Sequence, residues 1–116
     1  MQKLIKNLPH SAVMPLAGQV QILDGQIVSK TLAQSSHHSL TLFAFGKGEE
    51  ISSHASEGDA MVLVLEGKGK ITIDGTEYIL SAGESIVMPA GIPHAVLAAE
   101  PFKMLLTVIF PDDRQP

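Results

Sequence analysis

"KITIDGTEYIL", residues 70–80, sets an Asp-Gly pair at 74–75 between two short runs of apolar and β-branched residues. Asp-Gly accepts the positive φ angles of a type I′ turn, whose twist matches that of the strands on either side. The stretch therefore predicts a tight β-hairpin. "VQILDGQIVS", residues 20–29, repeats the arrangement around Asp24-Gly25 and predicts a second one. Working outward, further strands are expected at 39–45, 60–66, 85–89, 94–99 and 102–110, with Gly67, Gly83, Gly91 and Pro101 in the connections. Short Val-, Ile-, Leu- and Phe-rich segments at regular spacing, with dense Gly and Pro punctuation, predict an all-β sandwich or barrel.

A chain of 116 residues is the size of one domain, and at this length it buries roughly two-thirds of the surface exposed by its unfolded form. Residues 18–110 are expected to form the domain, with 1–17 an N-terminal segment less firmly tied to it and 111–116 ("PDDRQP") a polar tail. The absence of cysteine excludes disulfides, thiolate nucleophiles and cysteine-ligated metal clusters. "MQKLIKNLPHSAVMPLAGQV" lacks an uninterrupted apolar block followed by a small-residue cleavage site, so it does not read as a signal peptide, and the cytoplasm is the expected compartment. "MLLTVIF", residues 104–110, falls far short of the ~20 residues that a membrane-spanning helix needs. A net charge of −4, with Lys and Arg scattered singly and few aromatics, offers neither a phosphate-tracking stripe nor stacking platforms, so nucleic acid is not an expected partner.

Met61, Val62, Leu63, Val64 and Leu65 are apolar at consecutive positions instead of alternating, so both faces of that strand should be covered. With no convincing helix in the sequence, a second copy of the chain is the expected cover, which predicts a homodimer.

"GEEISSHASEGDAMVLVLEG" and "GESIVMPAGIPHAVLA" resemble the two motifs of the cupin family, small β-barrels of jelly-roll type. Gly48, His54 and Gly67 keep the spacing of the first motif, and Gly83, Pro89, Gly91 and His94 that of the second; the resemblance spans about residues 46–98. It implies a single-domain jelly-roll cupin barrel. In metal-binding members two first-motif histidines, a Glu and the second-motif His hold a divalent metal. Here Ser56 stands where the second His is expected and Ala60 where the Glu is expected, while Ala98 replaces an Asn of structural importance. Half of the usual ligand set is absent.

Imidazole suits Fe, Mn, Ni, Cu and Zn, but two neutral nitrogens alone supply neither the ligand number nor the negative charge that holds such ions. A third ligand is required, and the neighbouring acids are Glu57 and Asp59. On a continuous strand, residues 56 and 60 share the side of His54 whereas 57 and 59 face away. A bulge at Gly58 would bring Asp59 back into phase, making His54, His94 and Asp59 the candidate metal ligands. Without it, Glu57 and Asp59 form a solvated turn at the barrel mouth.

Other polar residues carry weaker signals. His37 and His38 are consecutive and cannot both face inward, so they read as strand-edge residues. Ser53 and Ser56 lie near His54 without an orienting acid or an oxyanion hole. The rigid "MPAGIPH" connection, with Pro89 and Pro93 fixing φ and Gly91 relaxing it, positions His94. Two functional readings follow: a barrel binding a small organic molecule between His54, His94 and an apolar lining of Val62, Val64, Ile86 or Met88; or a metal-dependent isomerase or oxygenase using His54 and His94 with a nearby carboxylate. A purely structural or regulatory domain is a third, favoured if side chains fill the interior.

Overall fold

The structure, a computed structural model, describes residues 3–113; residues 1–2 of the N-terminal segment and 114–116 of the tail lie outside the described residues. Among the described residues nine strands follow one another: β1 (Ile27–Gln34), β2 (His38–Phe45), β3 (Glu50–His54), β4 (Asp59–Glu66), β5 (Lys68–Ile73), β6 (Thr76–Ser81), β7 (Ser85–Met88), β8 (His94–Leu97) and β9 (Phe102–Ile109). They form two facing sheets, one ordered β1-β2-β9-β4-β7 and the other β3-β8-β5-β6, with every pairing antiparallel. The all-β jelly-roll expectation holds, but the two sheets are not hydrogen-bonded into a closed cylinder.

The hairpin at 70–80 forms as expected, with Asp74 (φ 49°) and Gly75 (φ 85°) both left-handed. The one around Asp24-Gly25 does not. Gly25 alone takes a positive φ there (71°), and residues 20–23 pair with no strand. They run instead across the outer face of the five-stranded sheet. Val20 is buried and Ile22 half-buried there, packed with Leu8, Leu16, Leu32, Leu42, Leu65 and Leu105. Lys103 pins this strap: its Nζ, on a residue only 7% exposed, donates to Ala17 O at 2.6 Å and lies 3.6 Å from Glu66 Oε1. A good part of the cover expected from a second copy is thus the chain's own N-terminal segment. Met61, Val87 and Ile109, on the same outer face, remain exposed.

Between the sheets, pleat alternation sends Ala60, Val62 and Val64 inward and Met61 outward. Their partners in the packed layer include Phe45, Ile71, Met88, Val96, Phe102 and Met104. Val62, Val64 and Met88, expected as cavity lining, belong to this packed cluster. Phe45 and Phe102, register partners on β2 and β9, stack with ring centroids 4.7 Å apart at one end of the sandwich. Gly69 makes room for the Phe102 ring, since a Cβ there would come within 2.6 Å of Cε2. The opposite end, where Ile73, His94, Ala60 and Val108 lie, is where the chain crosses between sheets from β3 to β4. No helix among the described residues is long and apolar enough to cross a membrane.

Gly58 sits in that crossing, buried, and a Cβ on it would collide with the backbone carbonyl of Ile109. A backbone obstacle on a paired strand cannot swing aside as a flexible side chain does. Gly58→Ala is therefore expected to cost about 1–3 kcal/mol of stability, read as a lower urea midpoint with an unchanged denaturant slope.

Candidate functional site

His54 is the last residue of β3 and His94 the first of β8, and the antiparallel register sets them directly opposite one another. A β-bulge makes this possible. Ile51 pairs with Val96 and His54 with His94, so three steps along β3 match two along β8, with the extra residue in the Ser52-Ser53 stretch. Residues three apart on a regular strand face opposite ways; the extra residue restores His54 to the face of Ile51, which is also that of His94. The rings meet edge to face, centroids 4.4 Å apart and planes at 70°. The bulge lies at the two serines, not at Gly58.

The two rings occupy different environments. His54 is exposed, and its Nδ1 lies 2.9 Å from Ser52 O. A carbonyl can only accept, so Nδ1 carries a proton, and in the neutral form of the ring Nε2 presents a lone pair. His94 is 4% exposed, and its buried Nδ1 makes no well-formed hydrogen bond, the ring having only a weak contact with the Ile92 backbone. Burial holds the His94 pKa below the ordinary imidazole value, the adjacent His54 adds to the depression, and the Ile92 backbone opposes it. A neutral ring with an unmet polar atom is poised to exchange a hydrogen bond with a guest, since an orphaned buried nitrogen carries a desolvation cost of about 1–3 kcal/mol that a partner would relieve.

Asp59 does not join the pair. β3 ends at His54 and residues 55–58 carry the chain to the other sheet, so strand parity does not extend from 54 to 59. Asp59 opens β4 on the outer face, and its Oδ1 accepts the Ala90 N–H at 2.8 Å. Ser56 O likewise accepts Gly91 N–H at 2.8 Å, Ser56 Oγ accepts Gly58 N–H at 3.1 Å, and Asp74 N–H donates to Pro93 O at 2.9 Å. The bonds to Ala90, Gly91 and Pro93 clasp the 89–93 connection that delivers His94, and the Gly58–Ser56 bond shapes the stretch that holds it. Asp59 and Ser56 are thus positioning residues. Asp59 also lines, with Glu57, Gly58, Ala90, Ile109, Phe110 and Pro111, a cleft of about 300 Å³ that includes neither histidine. Ala60, at the position where the resemblance expects Glu, faces inward and is buried, with only a methyl group to offer.

The donor set tests the metal expectation. Among the described residues no group of three or more His, Cys, Asp or Glu side chains could hold an ion. Two imidazoles with an apolar third position do not fit a divalent metal. The other histidines complete no such group: His38 opens β2, at a register position opposite Ile109, and His10 Nε2 contacts Ile5 O at 2.6 Å in the strap.

The depressed His94 value fixes the sign of one pH effect. Folded His94 binds its proton less tightly than the unfolded ring, whose value is about 6.5. Its stabilising contribution is full above that pH, declines as pH falls toward the lower folded value, and levels off below it. Unfolding midpoints measured from pH 8 to 5 should show this decline in the wild type and a shallower one in His94→Gln.

A protein of unknown function from Streptococcus pyogenes superposes with a TM-score of 0.93 at 46% identity, covering 96% of this chain and 97% of its own. Dimethylsulfoniopropionate lyase DddW of Ruegeria pomeroyi is 28% identical over 103 residues, 79% of this chain and 68% of that protein. Quercetin 2,3-dioxygenase of Bacillus subtilis is 37% identical over 57 residues, 48% of this chain and 17% of that protein, so the match spans a small part of the dioxygenase. The family model described as "Cupin domain" matches residues 41–110, which hold both motifs and eight of the nine strands in whole or in part. The chain belongs to the cupin family.

Proposed function

We propose that the protein binds a small organic molecule at the His54–His94 pair without a metal ion. The observation that carries this reading is the buried Nδ1 of His94, which has no well-formed hydrogen bond beyond a weak backbone contact at Ile92, on a neutral-leaning ring set 4.4 Å, centroid to centroid, from His54. His54 is the exposed member, so an incoming molecule meets its Nε2 lone pair first. A guest bearing a hydroxyl or enol group can donate to that nitrogen while a second polar group satisfies His94. Ile73, the register neighbour of His94 on β5, and the methyl of Ala60 give the site an apolar border, so a partly apolar guest suits it.

The alternative, a metal-dependent enzyme of isomerase or oxygenase type, draws support from the lyase and dioxygenase relatives. It needs a third donor, which Asp59, committed to Ala90, does not supply. Thermal melts against a panel of small hydroxy acids, enols and sugars separate the two readings. A ligand of the folded form raises Tm. On the proposed reading the shift persists in EDTA and is lost in His54→Ala and His94→Ala. Stoichiometric metal in protein purified without added ions, lost in both variants, with an EDTA-sensitive Tm shift, would establish the alternative.

A homodimer remains part of the proposal. The strap leaves Met61, Val87 and Ile109 exposed on the outer face, next to β7, whose outer edge is unpaired. An apolar patch beside an open strand edge suits a second copy of the same sheet. Sedimentation velocity should give a dimer for the wild type and a monomer for Met61→Glu.

A further inference from the structure

We infer that a cavity beneath the N-terminal strap, separate from the histidine pair, is a binding site for a small organic anion carrying carboxylate or phosphate groups. The cavity measures about 290 Å³ and lies between Lys3, Leu4 and Lys6 on the strap and Ala33, Gln34, Ser35 and His38 around the β1–β2 turn. Its size stands at the lower edge of the small-molecule range, roughly 300–1,000 Å³.

Its walls are held in place by the fold. Thr31 pairs with Thr41 and Ala33 with Leu40, so Leu32 is the extra residue of a bulge on edge strand β1. The Leu32 carbonyl accepts the Lys6 N–H at 2.8 Å, and the next residue of the strap, Asn7, donates from Nδ2 to Thr31 O at 2.7 Å. These bonds fix the Lys6 backbone against the sheet. Across the cavity, Ser35 Oγ accepts the amides of His37 at 3.0 Å and His38 at 3.3 Å. Both of its lone pairs are then used. Its proton is left for His38 Nδ1, 3.3 Å away, which makes Nε2–H the remaining donor of that ring.

The electrostatics give the site its sign. The chain carries 12 acidic against 8 basic residues, yet no Asp or Glu lines this cavity, and two lysines and a histidine do. Among the described residues neither lysine ammonium has a hydrogen-bond or ion-pair partner. Two unopposed cations, an imidazole donor and the Gln34 amide match an anion with several oxygen acceptors.

The test is amide NMR of the full chain, titrated separately with inorganic phosphate and with citrate, against sodium chloride at matched ionic strength. The expected result is saturable shifts at Lys6, Gln34, Ser35 and His38 with one or both anions, without shifts at His54 and His94. Saturation by phosphate alone assigns phosphate-bearing ligands, and by citrate alone, carboxylates. Lys3→Gln/Lys6→Gln should weaken binding roughly 5- to 30-fold, the loss of two partly exposed ion pairs. Lys47→Gln, at the opposite end of β2, should leave it unchanged. Linear shifts, equal shifts with chloride, shifts centred elsewhere, equal loss in Lys47→Gln, or undiminished binding in the double variant would overturn the site.

Discussion

The register of β8 governs everything built at one end of this protein. β8 lies between β3 and β5, so His94 is aligned at once with His54 on one side and Ile73 on the other. A slip of one residue would turn His94 to the outer face and put Ala95 in its place. The slip is opposed at both ends of the strand. The 89–93 connection is tied to Asp59, Ser56 and Asp74, while Ala98, beyond the other end, exchanges backbone hydrogen bonds with Gly48 and Glu49. Polar residues that look like site chemistry in the sequence are here the fastenings that make a site possible.

Much of the architecture is legible without coordinates. Asp74-Gly75 carries its own turn geometry, and the segments 39–45, 60–66 and 102–110 became β2, β4 and β9 with boundaries shifted by a residue or so. Local chemistry failed at Asp24-Gly25. The turn residues are the same, but the arm before them gains more by burying Val20 and Ile22 on the sheet's outer face than by pairing as a strand. β3 leaves little trace in the sequence, since "EISSH" is short, polar and mostly exposed.

The site was legible in its histidines and illegible in its third member. The spacing that placed His54 and His94 in two motifs does mark residues that meet. What the sequence hides is where the chain leaves one sheet for the other. Parity arguments hold only inside a strand, and between His54 and Asp59 there is no strand. The bulge that does matter sits among Ser52 and Ser53, with no glycine to signal it. His94's missing hydrogen bond likewise has no trace in the sequence, because it depends on burial between two sheets that only tertiary packing creates.

The crossing at Gly58 also sets the terms on which this protein can be redesigned. Position 58 admits no side chain, so a donor introduced from this stretch must come from one of its neighbours, and Ala60 is the inward-facing one. Ala60 is flanked in register by Met88 and Val108. A carboxylate installed between those two side chains would lack water and counter-charge, and would hold its proton until a cation arrived. The ion would enter as the proton left, so such a redesigned centre would load by releasing a proton and would favour mildly alkaline conditions.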